Sequence, residues 1–218
     1  MIENEVDMHA DYWLKKWRAN DVGFHKSEVN PSLVEHWGAL SLAKVSRVFV
    51  PLCGKTLDIA WLLAQGYHVI GAELVEDAIK QLCQALSVEP KKSDLGEVKR
   101  YSAANLDIFV GDIFSVTLEQ LGSVDAVYDR AALVALPAPV RERYTAHLMA
   151  ITRTAPQLLV TYEFDLRLFR GPPFSVSNEE VERCYGDMYT LSLVESRDVP
   201  EGLKGMRPVR ENVWALTL

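Results

Sequence analysis

Strand-like and helix-like runs alternate along the 218 residues, which predicts an α/β fold with a mostly parallel sheet covered by helices on both faces. Three observations carry that expectation. Short apolar runs of strand type recur through the chain. Most are followed by stretches with helical spacing and helix-start residues. The last two runs, near TLSLVES and ENVWALTL, have only a loop between them, which marks an antiparallel hairpin at one sheet edge.

In chain order, the first 45 residues read as helical. Trp13 and Trp17 stand at i and i+4 and so share one helix face. A second helix starts at Asn30-Pro31, with Asn as cap and Pro at the first helical position. RVFVPL (47–52) is a buried strand, TLDIAWLLAQ the helix behind it, and Gly66 ends that helix. YHVIGAEL (67–74) and VEDAIKQLCQALS repeat the unit. EPKKSDLGEVKR (89–100) breaks the alternation and reads as a charged surface excursion. NLDIFVGDIF and VDAVYDRA are the third and fourth strands. PAPVRERYTAHLMAIT is a helix opened by two prolines, and QLLVTYEF is the fifth strand. A short helix at SNEEVERCYG precedes the final pair. Seven strands with that ending match a Rossmann-like class I methyltransferase sheet better than a plain dinucleotide-binding fold.

Composition narrows the functions. Hydrophobic residues at 49% and charged residues at 24% are the balance of an ordinary globular chain, so extensive disorder is not expected. A net charge of −7 argues against nucleic acid, whose binding needs a basic face to displace counterions. Cys53, Cys83 and Cys184 form neither a CxxC pair nor a metal-ligand spacing, so no metal, no zinc site and no disulfide framework is expected. No apolar run approaches the ~20 residues of a membrane span. The segment MIENEVDMHADYW lacks the apolar core of a signal peptide, and Met8 offers an alternative start. The expectation is a cytoplasmic protein, with a monomer sufficient.

The stretch VFVPLCGKTLD (48–58) decides between three nucleotide-type turns. A P-loop needs G-x-x-x-x-G-K-[ST], and with Gly54 as its second glycine the first falls on Phe49. Pro51 removes a further donor. The dinucleotide fingerprint G-x-G-x-x-G is absent as well, with Gly54 its one remnant. S-adenosylmethionine has no phosphates, and its turn has to admit only the methionine portion and the ribose edge. An acid at the end of the next strand, about 20 residues on, then meets the ribose hydroxyls. Glu73 lies 19 residues after Gly54, at the end of YHVIGAEL. It is either that ligand or an ordinary strand-end carboxylate. Asp112 follows the third strand, either beside the adenine edge or as a plain turn aspartate after Gly111.

VFVPLCGKTLDIAWLLAQGYHVIGAEL, VYDRAALVALP, GPPF (171–174) and the N-terminal WLKKWRANDVGFH together resemble the thiopurine S-methyltransferase family, its bacterial members above all. The motifs run in order over nearly the whole chain. The resemblance implies one methyltransferase domain over 1–218, with 1–45 a helical cap over the cofactor site and 46–218 the Rossmann-like core. It implies S-adenosylmethionine as cofactor, bound by Trp13, Trp17, Leu52, Gly54, Glu73, Asp112, Ile113 and Arg130. Phe24 is implied to contact the cofactor or the aromatic substrate, and is assigned to substrate binding. Arg130 is implied to stand beside the reacting sulfur, with a second cation from the loop before the last strand. Lys204 aligns there, where the bacterial family tends to have arginine, and Arg207 is nearby.

Each residue also has a plainer use. Trp13 and Trp17 can be core residues, and Arg130 can be an ion-pair partner of Asp129. Its position after a buried strand, at the carboxyl edge of the sheet, favours a ligand site. The five histidines form no constellation and read as structural or solvent-facing, and Cys53 as a small apolar filler. The expected reaction is methyl transfer from S-adenosylmethionine to the sulfur of a thiopurine or aromatic thiol, and the bacterial relatives imply selenium or tellurium compounds too. The alternatives are a binding protein without transferase activity and a P-loop-like enzyme.

Overall fold

The computed structural model describes residues 11–19, 21–22 and 25–218. Among these, nine strands form one sheet: β1 Arg47–Val50, β2 His68–Glu73, β3 Lys91–Asp94, β4 Lys99–Ala103, β5 Leu106–Val110, β6 Ala126–Arg130, β7 Gln157–Glu163, β8 Thr190–Asp198 and β9 Arg210–Thr217. Their order is β3-β4-β5-β2-β1-β6-β7-β9-β8. The five central strands, β5 to β7, pair in parallel, and β9 runs antiparallel between β7 and β8. The chain leaves β1 for β2 on one side and later returns to β6 on the other. That reversal opens a crevice at the carboxyl ends of the central strands.

Local chemistry places the helices. The first is helical over 11–18 (α1). In α2 (Pro31–His36) the Asn30 side chain accepts from the Ser32 N–H at 2.8 Å, with proline at the first position as expected. Behind the parallel strands lie α3 (Asp58–Ala64), α4 (Glu76–Ala85) and α6 (Ala138–Thr152), the last entered through Pro137. Ser177 caps α7 (Asn178–Tyr185). A four-residue helix, α5 (Leu118–Leu121), is held by a capping box between Thr117 and Gln120 and is too short to leave a periodic signal. Among the described residues no helix is long and apolar enough to cross a membrane.

Strand alternation divides the interior into two layers. Phe49, Ile70, Val127 and Leu159 face the side covered by α6 and α7. Their neighbours Val48, Val50, Val69 and Tyr128 face the side covered by α3 and α4, where Trp37 of the turn after α2 also packs. This is the period-2 exchange of faces that strand geometry imposes.

The charged stretch 89–100 is not an excursion. It forms the β3–β4 hairpin, paired from Lys91↔Ser102 to Asp94↔Lys99, which extends the expected seven strands to nine. Tyr101 is buried, with Lys92 Nζ 4.8 Å from its ring centre, while all of β3 is exposed. The sequence hides this strand because edge strands replace apolar alternation with lysines that deter pairing with other chains.

The loop after β6 is fixed by a buried acid. The Asp129 carboxylate accepts from the Leu133 N–H at 3.0 Å and the Tyr144 hydroxyl at 2.7 Å. Burial outweighs these bonds and pushes its pKa from 3.8 up to about 6. The folded state therefore holds this proton more tightly than the unfolded chain. The resulting stability is complete below about pH 4 and is lost as the pH rises through 6, about 3 kcal/mol in all. Asp129→Asn should flatten that part of the curve. Denaturant titrations at pH 4 and pH 7 measure it, and an unaltered pH slope in the variant would show that Asp129 is ionised throughout.

Candidate active site

A cleft of about 350 Å³ opens where β1, β2 and β6 end. The turn residues Leu52 and Gly54 face it, as do the acids Glu73 and Asp112 with Ile113. Trp13 and Trp17 face it from α1, and Arg130 and Lys204 from the far side. Phe24 lies outside the described residues. Of the two candidates for the second cation, Arg207 pairs with Glu201 at 3.7 Å on an exposed surface and does not line the cleft.

The turn after β1 is tight. Leu52 and Gly54 both adopt left-handed backbone, at φ 45° and 53°. For leucine that costs about 1–2 kcal/mol, and strain of this kind gathers at functional sites. Two bonds hold it: the Cys53 N–H donates to Ala72 O at 3.0 Å and the Gly54 N–H to Glu73 Oε2 at 2.8 Å. A Cβ on Gly54 would stand 3.3 Å from Trp17 Cζ2, so the missing side chain makes room for the indole. Trp17 is itself buried against Val75 and Ala78 of the α4 entrance. The core and cleft readings of Trp17 thus describe one placement. Cys53 is buried, and burial pushes its thiol pKa well up, as suits an apolar filler.

Glu73 is more than a plain strand-end carboxylate. Its second oxygen accepts from the Val75 N–H at 2.8 Å, so its carboxylate ties the glycine turn to the start of α4. Burial raises its pKa, and the N–H groups of Val75 and Gly54 oppose that rise. A phosphate would need the Gly54 N–H that Glu73 already occupies, which removes the cradle the GKT triplet advertises. Each carboxylate oxygen can still accept a further hydrogen bond. Asp112 is also structural, since its Oδ1 accepts from the Phe114 N–H at 2.9 Å and caps the turn Ile113–Ser115.

Arg130 is not an ion-pair partner of Asp129. Neighbours along a strand point to opposite faces, and Asp129 belongs to the α6 side while Arg130 enters the cleft. Its buried Nε has no hydrogen-bond partner among the described residues. Burial pulls its pKa down, but Tyr162, Tyr128, Asp58 and Glu211 outweigh that and the net shift is upward. Lys204 donates to Pro172 O at 2.8 Å and lies 5.4 Å from the Phe169 ring centre. Partial burial, with Lys16 nearby, lowers its pKa against the pull of Asp21.

Asp58, Tyr128, Tyr162 and His25 are among the lining residues that the sequence did not mark as a site. Asp58, in the first turn of α3, accepts from the Asn30 N–H at 2.8 Å and the Tyr128 hydroxyl at 3.1 Å. Tyr128 precedes Arg130 by two residues on the same face, a signal that strand alternation offered. Tyr162 lies on β7. His25 also lines the cleft, where burial, then Lys55 and Arg130, lower its pKa.

The residues fit S-adenosylmethionine: a glycine turn whose added Cβ would crowd the covering indole, spare carboxylate lone pairs on Glu73, and an unmatched buried guanidinium nitrogen. Strand order and cleft together define a class I S-adenosylmethionine-dependent methyltransferase. The crystal structure of Burkholderia thailandensis 1,6-didemethyltoxoflavin-N1-methyltransferase, with bound 1,6-didemethyltoxoflavin and S-adenosylhomocysteine, shares the fold. Its TM-score is 0.65 at 17% identity, over 99% of this chain and 90% of the other. The family model for thiopurine S-methyltransferase matches residues 8–217. The thiopurine S-methyltransferases of Teredinibacter turnerae and Xanthobacter autotrophicus are each 50% identical over 210 residues, covering 96% of this chain and 98% and 99% of theirs. The chain belongs to the thiopurine S-methyltransferase family.

Proposed function

We propose that the chain methylates the sulfur of thiopurines and aromatic thiols in this cleft, with Arg130 holding the acceptor as its anion. It is an S-adenosylmethionine-dependent S-methyltransferase by family. The observation that carries the site reading is a half-buried arginine with a buried Nε, free of any salt bridge among the described residues, facing the same cleft as the Glu73-tied turn.

When bound, the cofactor supplies a methyl group on a cationic sulfur whose leaving thioether needs no proton. What remains for the protein is to bind, orient and dry the site. Glu73 holds the ribose hydroxyls through its spare lone pairs, Leu52 and Gly54 line the turn, and Asp112 with Ile113 flank the adenine. Trp13 and Trp17 cover the cofactor, so the described helix over 11–18 caps the core. Arg130 attracts the thiolate, and Lys204 supplies a second positive charge at the mouth. Fixed positive charge in a poorly hydrated cleft favours an anionic sulfur over its neutral thiol.

A labelled-methyl assay over thiopurines, aryl thiols and selenite tests the reading. Thiopurines and aryl thiols should gain label at sulfur, and selenite reports whether a selenium oxyanion is taken as well. Tight cofactor binding with no thiol labelled would leave a binding protein in its place.

A further inference from the structure

We infer that Tyr162 and Glu211 are positioning residues that hold the Arg130 guanidinium in the cleft, as inner members of a polar row crossing four strands. The inference rests on the reading that Arg130 faces the acceptor sulfur.

Register builds the row. Arg130 pairs with Val160 across β6 and β7, and Tyr162, two residues further along β7, points to the same face. Tyr162 lies directly opposite Glu211 on β9, and Glu211 directly opposite Arg197 on β8. Directly opposed residues share a face and touch. The four side chains therefore run from the cleft to the outer strand in the order cation, phenol, anion, cation.

Their bonds agree with that order. Glu211 is buried at 8% exposure, and its Oε1 accepts from Arg197 Nη2 at 2.8 Å and from the Ser32 hydroxyl at 2.7 Å. The outer cation thus balances the carboxylate. The register sets the Tyr162 hydroxyl between the Glu211 carboxylate and the Arg130 guanidinium, near enough that both charges act on it. A hydroxyl can donate to the first and accept from the second at once. Burial, then Glu211, push the phenol up to about 12 against the pull of Arg130, so it keeps its proton for Glu211. Tyr128, on the same face of β6 as Arg130, likewise donates its hydroxyl to a carboxylate, that of Asp58, at 3.1 Å.

The use of phenols has a physical consequence. A carboxylate bound directly to Arg130 would fix its geometry but cancel much of its field at the sulfur. A tyrosine hydroxyl fixes the geometry and leaves the charge. Glu211 acts one residue further off, with its own charge met by Arg197.

The experiment reads Arg130 directly, by the Nε–H signal of the cofactor-bound protein in ¹⁵N-relaxation NMR. In the wild type that signal should be as rigid as the backbone. In Tyr162→Phe it should lose its heteronuclear NOE, and its proton should exchange with solvent about tenfold faster. Glu211→Gln, which changes the carboxylate behind the phenol, should show a smaller change of the same sign. Turnover of weakly acidic thiols should fall about tenfold in Tyr162→Phe with unchanged cofactor affinity, and the substitution should add nothing in an Arg130→Ala background. An Arg130 signal that stays rigid in both variants, or additive losses in the double variant, would overturn the inference. A loosened Arg130 with equal losses for all thiols would leave the row standing and remove the reading of Arg130 as the anion's partner.

Discussion

Arg130→Ala is expected to slow methylation of weakly acidic thiols by about 10²–10³-fold, and of strongly acidic ones by about tenfold less. The difference follows from what the cation does for each. A weakly acidic thiol is mostly protonated near neutral pH, and each unit by which the site lowers its pKa is about 1.4 kcal/mol in favour of the reactive anion. An acidic thiol arrives ionised and gains little beyond placement. Arg130 keeps its own charge, because its pKa is shifted up rather than down from the ordinary guanidinium value. The acid limb of the pH–rate profile therefore reports the acceptor, and in the variant it should move up toward the free thiol's pKa. A series of aryl thiols of graded acidity, compared by kcat/KM, makes the measurement. Equal losses along the series would mean that Arg130 only places the cofactor.

Glu73→Ala should weaken S-adenosylmethionine binding by roughly 30- to 1000-fold, equivalent to about 2–4 kcal/mol for lost bonds to a charged acceptor. It should also lower the melting temperature of the free protein by several degrees, since the N–H groups of Gly54 and Val75 lose their partner. Glu73→Gln is not conservative here. Both carboxylate oxygens accept from backbone N–H groups, and an amide must set its NH₂ against one of them. It should thus reproduce part of both losses. Calorimetry measures the affinity and scanning of the free protein the stability; unchanged affinity would falsify the ribose assignment.

The alternation of β and α elements was legible because each buried strand here is a short apolar run closed by turn residues. The C-terminal pair was legible because no helix fits between its members. The β3–β4 hairpin was not, since its pairing lies in backbone bonds and in one buried ring, Tyr101, amid lysines. For the site, Glu73 and Gly54 could be read from spacing, because a strand–turn–helix unit fixes where the next strand must end. Spacing did not reveal that the two are bonded to each other. Asp58, Tyr128 and Tyr162 could not be read as a set, since they lie on three elements that only the parallel register brings together. His25 looked isolated in sequence for the same reason: its neighbours Lys55 and Arg130 come from other parts of the chain.

The opposed directions of Asp129 and Arg130 have a bearing on how such a chain can diverge. Strand β6 presents its anion to the loop-holding side and its cation to the cleft, and side chains change sides at every residue. Replacement of single residues leaves that assignment intact. Loss or gain of one residue within β6 would hand the carboxylate to the cleft and the guanidinium to the α6 interior, inverting both at once. The descendants of this strand are thus free to vary in identity and constrained in length, and inserted material in the family should be found in the loops that flank it.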